Sequence, residues 1–152
     1  MMPTQASKRV ILDRIGLIDA MLAELRALPA QTLIVFTSDS RTPAAAELFL
    51  RRCLEALLDT GRHILAKAFG KGLVEYKDIP RRLKEYGVLA DDEYQLLFTM
   101  AGYRNCMVHF YHEVTTDELY QICTHQLGDI ERVALAYRRW MSANPQLVSD
   151  EL

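Results

Sequence analysis

The chain has 152 residues, half of them apolar and a quarter charged, with a formal net charge of −2. That is one domain able to bury a core without staples. The charge argues against a protein that grips nucleic acid through a broad basic surface, since such binding is driven by phosphate neutralisation, but it does not exclude a local cationic pocket.

The first predicted element runs from Lys8 to Leu28, where Val10/Ile11, Leu17/Ile18, Met21/Leu22, Leu25 and Leu28 follow the three-to-four spacing of an amphipathic helix, interrupted at Arg14. Pro29 ends it. Gln31–Val35 is apolar and β-branched, but Ser38, Asp39 and Ser40 follow at once. With no second β-rich run to pair with, it reads as a packed connector rather than a strand. Thr42 and Pro43 suit the N-cap and first position of a second helix, whose stripe runs through Ala46, Phe49/Leu50, Cys53/Leu54, Leu57/Leu58 and Ile64/Leu65 to Gly70. Gly61 lies inside it at a cost of about 1 kcal/mol against alanine, as a close helix crossing would require.

Asp78-Ile79-Pro80 opens a short helix that closes near Gly87. Asp91-Asp92-Glu93 then puts negative charge at the start of the next, against the positive end of its dipole. Thr115 or Thr116 caps a last long helix with Leu119, Ile122/Cys123, Leu127, Ile130, Val133/Ala134 and Tyr137 on its stripe. Asn144-Pro145 begins a tail. The expected fold is all-α, four long helices plus one short helix in an up-and-down bundle, with a domain over 1–142 and a tail over 143–152.

The cysteines Cys53, Cys106 and Cys123 are odd in number and form no C-x-x-C pair, which favours a reducing compartment over a disulfide scaffold. Met1–Arg9 has no apolar stretch of signal-peptide length, and no apolar run nears the roughly 20 residues of a membrane span. A cytoplasmic protein is expected. Cys106, His109, His112, Cys123 and His125 suggest a zinc site only superficially. Cys106 and His109 are one helical turn apart, but no second pair completes a tetrahedron, so no metal and no cofactor is expected.

One segment stands apart: Gly102-Tyr103-Arg104-Asn105-Cys106-Met107-Val108-His109-Phe110-Tyr111-His112. Asn105 and His109 share a helix face, whereas Arg104 and His109, five apart, lie about 140° apart around the axis and meet only if the arginine reaches across. The residue types suit RNA cleavage without a metal: an imidazole moves a proton on or off a ribose oxygen, and a guanidinium holds charge developing on phosphate. Spacing alone leaves open the other reading, an arginine–carboxylate pair beside a histidine capping a helix C-terminus. On the second helix Asp59 and His63 share a face. Asp59 could support Arg104 or a histidine, and His63 stays open. Arg51-Arg52, Arg81-Arg82 and Arg138-Arg139 read as solvated pairs, and Trp140 as packing.

The run Arg104 to Tyr111 resembles the R-x4-H-x-Y motif of the HepT toxins, a branch of the HEPN (higher eukaryotes and prokaryotes nucleotide-binding) superfamily. The resemblance extends through Glu55–Ala66, Gly87-Val88-Leu89 and Met100–Asn105 to the last helix, in the family's order. It implies a HEPN-type helical bundle that forms a homodimer and acts as a metal-independent endoribonuclease toxin on RNA. It implies Arg104 and His109 as catalytic residues with Asn105 in support. It also implies an MntA-like minimal nucleotidyltransferase antitoxin as partner, which transfers AMP to the motif tyrosine, Tyr111. The alternative is a non-catalytic module that binds nucleotide or docks a nucleotidyltransferase.

Overall fold

A computed structural model describes residues 4–72, 74–109 and 114–151. Seven helices are present among them: α1 (Lys8–Ala27), α2 (Leu33–Thr37), α3 (Arg41–Phe69), α4 (Ile79–Glu85), α5 (Asp91–Val108), α6 (Thr116–His125) and α7 (Leu127–Ala143). Two-residue strands, β1 (Ala6–Ser7) and β2 (Val148–Ser149), pair in parallel and bring the two ends of the described chain together. No helix among the described residues is long and apolar enough to cross a membrane.

α3 is the spine. Its 29 residues span about 44 Å, and α1, α2, α4, α5, α6 and α7 all pack on it. Leu50, Cys53, Leu54, Leu57, Leu58, Ile64 and Leu65 are buried along it. α1 lays Ile11, Ile15, Ile18, Leu22 and Leu25 against this spine. Gly70 ends α3 in the left-handed conformation (φ 70°), which glycine adopts without steric cost.

At Gly61 a side chain is excluded by its neighbours. A Cβ there would lie 2.7 Å from Leu83 Cδ1, 2.9 Å from Tyr137 Oη and 3.0 Å from Ile79 Cγ2. The missing side chain is what lets α4 and α7 close on α3. Tyr137, fully buried, donates its hydroxyl to the Leu57 carbonyl at 2.9 Å.

Three expectations need correction. Gln31–Ser40 holds a single helical turn, α2, rather than a strand or simple connector. Thr32 Oγ1 accepts the Val35 N–H at 3.1 Å, and buried Phe36 packs edge-on against Tyr120 with ring centroids 5.6 Å apart. The second helix begins at Arg41, before the expected Thr42 cap, and Thr42 is buried inside it. The single last helix is two. Gln126 leaves helical geometry (φ −120°, ψ 4°) between α6 and α7, while the apolar spacing from Cys123 to Leu127 continues as if unbroken. Periodicity cannot register such a break.

Candidate active site

α5 carries the singled-out segment. Glu93 anchors its start: the carboxylate accepts the Ala90 N–H at 2.8 Å and takes two 2.6 Å bonds from Arg139. The Arg139 guanidinium, followed by the backbone bond, holds the Glu93 carboxyl below the usual glutamate range. At the other end the helix stops at His109, whose backbone turns extended (φ −97°, ψ 126°) while its N–H still bonds to the Asn105 carbonyl at 3.0 Å. That ending exposes the His109 side chain at the rim of the bundle.

Arg104, Asn105 and His109 line one open polar cavity of about 540 Å³ with Arg62, Glu75, Tyr76 and Lys77. Arg104 therefore reaches the cavity that Asn105 and His109 face. Its side chain is only 21% exposed. The Asn105 Oδ1 accepts from Arg104 Nη1 at 3.2 Å, and a Glu55 carboxylate oxygen lies 3.6 Å from Arg104 Nε. That separation gives attraction without a hydrogen bond. The buried Nε makes no hydrogen bond among the described residues, an arrangement that costs roughly 1–3 kcal/mol. A carboxylate near the arginine and a histidine at a helix C-terminus are thus both present, and Arg104 joins them, 3.6 Å from Glu55 and lining the cavity with His109.

Asp59 does not touch Arg104 directly. Its Oδ1 accepts the Tyr76 hydroxyl at 2.5 Å and lies 3.7 Å from Arg62 Nη1. The Arg104 and Arg62 guanidinium carbons lie 4.3 and 4.5 Å from the Tyr76 ring centroid, within cation–π range. Burial first, then the bond to Asp59, pushes the Tyr76 hydroxyl up to about 12, so it stays protonated and donates. Asp59 therefore acts on Arg104 through a tyrosine.

His63 faces elsewhere. Its Nε2 accepts the Ser7 N–H at 2.9 Å where α1 begins. Burial, helped by Arg14 and Lys67, holds its pKa down to about 4, and it serves as a neutral acceptor. Trp140 is buried, 6.0 Å from the Phe69 ring. Burial pushes the Cys53 thiol up to about 12 and Cys123 up to about 11, as expected of packing cysteines. Tyr111 and His112 lie outside the described residues.

Sequence reasoning missed Tyr76, Arg62 and Glu55 as site residues. Glu55, Asp59 and Arg62 stand at i, i+4 and i+7, a charged stripe on one face of the helix, and that was the available signal. Tyr76 had none beyond its place in the polar run Glu75-Tyr76-Lys77-Asp78.

The fold has solved counterparts. A crystal structure of a toxin–antitoxin with AMP-PNP matches at 22% identity over 87% of this chain and 99% of that one, with a TM-score of 0.75. A tri-AMPylated Shewanella oneidensis HEPN toxin in complex with an MNT antitoxin matches at 23% identity over 86% and 97%, with a TM-score of 0.74. YutE from Bacillus subtilis, described as a cytosolic protein of unknown function, matches at 22% identity over 96% and 99%, with a TM-score of 0.76. At these identities the likeness establishes the fold. No curated protein matches the sequence. The family described as Ribonuclease HepT-like matches residues 15–136, most of the chain. The chain belongs to the HepT-like ribonuclease family.

Proposed function

We propose that this protein is a metal-independent endoribonuclease toxin, held in check by a nucleotidyltransferase antitoxin. The observation that carries the reading is the convergence of Arg104, Asn105 and His109 on one polar cavity. Family membership and the fold shared with toxin–antitoxin structures support it.

The reaction is transesterification. The ribose 2′-oxygen attacks the adjacent phosphorus, its proton passing to an imidazole, and the bond to the 5′-oxygen breaks as that oxygen takes up a proton. The products are a 2′,3′-cyclic phosphate and a 5′-hydroxyl. His109 moves protons, and Arg104 binds the phosphate and the charge that builds on it. Asn105 orients Arg104 through its 3.2 Å bond, and Asp59 fixes the tyrosine on which Arg104 rests. A homodimer would bring a second His109 to the cleft.

Tyr111, two residues beyond His109, is the proposed acceptor of AMP from an MntA-like antitoxin. A phosphate placed there competes with RNA for the cationic pocket. Purified protein incubated with RNA in chelator tests the catalytic reading: wild type cleaves and His109→Ala does not, and equal cleavage by both overturns it.

A further inference from the structure

Two arginines share the Tyr76 ring, but only Arg104 belongs to the motif. The carboxylates near them are held off. Glu55 stands 3.6 Å from Arg104, and Asp59 stands 3.7 Å from Arg62 while that same Asp59 oxygen takes the Tyr76 hydroxyl at 2.5 Å. Arg139 shows the contrast, bound to Glu93 through two 2.6 Å contacts. Arg62 and Arg104 are thus oriented by an aromatic face more than neutralised by bidentate pairing, which leaves their charge directed at the cavity.

Backbone contacts fix Arg62 as well, its Nε donating to the Val74 carbonyl at 3.2 Å. Since each guanidinium carbon lies within 4.5 Å of the ring centroid, the two are no more than about 9 Å apart. That limit admits neighbouring phosphates of one strand; two guanidiniums closing on a single phosphate would instead both be needed by a substrate that has only one.

We infer that Arg62 is a second phosphate-binding residue, taking the phosphate next to the scissile one, with Tyr76 as the positioning residue that sets the spacing of the two guanidiniums. The inference takes its substrate from the ribonuclease reading above. Arg62 is a binding residue rather than part of the proton chemistry.

The test uses a single-stranded RNA oligonucleotide carrying 2′-O-methyl groups throughout, which binds without being cut. Its affinity for wild type, Arg62→Gln and Arg62→Lys is measured by anisotropy across a range of salt. Loss of one phosphate contact lowers the slope of log K against log salt by about 0.7 in Arg62→Gln. Arg62→Lys keeps the slope, because it retains the charge while losing the Nε tether to Val74. An unchanged slope in Arg62→Gln, or an equal drop in both variants, overturns the inference.

In cleavage, Arg62→Gln lowers kcat/KM on the corresponding unmodified RNA roughly tenfold through KM, and spares a dinucleotide with a single phosphodiester. Equal losses on both substrates overturn the inference. Should wild type cut neither substrate while the slopes differ as expected, the ribonuclease reading fails and the Arg62 site stands.

Discussion

Gly61→Ala probes the crossing that positions α4, and with it the Tyr76 turn just upstream. In an exposed helix the change stabilises by about 1 kcal/mol. Here the added methyl meets Leu83 Cδ1 at 2.7 Å and Tyr137 Oη at 2.9 Å, both belonging to fully buried side chains that would have to shift. Overpacking of this kind costs about 1–3 kcal/mol, and displacing Tyr137 weakens its bond to Leu57, worth a further 1 kcal/mol or so. The net expectation is a loss of about 1–3 kcal/mol. For an m of about 2 kcal/mol/M in urea, that lowers the unfolding midpoint by roughly 1 M. Tyr137→Phe removes the oxygen from the clash, so the double variant should be less destabilised than the two single losses added together. A Gly61→Ala protein as stable as wild type refutes the crossing argument.

Tyr76→Leu removes the ring beneath both guanidiniums and should cut RNA cleavage by about tenfold. Tyr76→Phe, which loses only the bond to Asp59, should stay within about threefold; equal losses would contradict the platform role. His63 resists protonation in the fold, with a pKa of about 4 against an ordinary 6.5. Its contribution is complete above pH 6.5 and is lost as pH falls toward 4, because the unfolded chain takes up the proton first. Discounted for its partial exposure, the effect is about 1–2 kcal/mol. Denaturant titrations at pH 7 and pH 5 should show His63→Gln losing less stability than wild type, and parallel losses would refute this. Glu93→Ala frees the Ala90 N–H and unpairs Arg139, and should cost about 1–2 kcal/mol in denaturant unfolding. A cost near zero would show that α5 needs no such anchor.

Helices with strong local signals were legible in the sequence: the stripe of α1, the glycine that closes α3, and the acidic start of α5. The break at Gln126 was not, because Cys123 and Leu127 keep helical spacing across it. Nor was α2, whose β-branched residues conceal a turn set by the Thr32 cap and the burial of Phe36. Within the site, Arg104, Asn105 and His109 stood together in one segment and could be singled out. Their supports could not: Arg62 and Tyr76 reach the cavity from α3 and from the turn before α4, Glu55 and Asp59 approach Arg104 and Tyr76 from α3, and only packing brings them together. Asp59 shares a helix face with His63, yet its contact runs to Tyr76 and only through that ring to Arg104.

Single-turnover RNA cleavage in excess chelator by wild type, Arg104→Ala, His109→Ala and the double variant tests the central claim most directly. Residues that act on one transition state fail together, so each single variant should lose about 10²–10⁴ in rate and the double little more. Wild-type levels of cleavage in either single variant, or cleavage that stops when chelator is added to wild type, would contradict it.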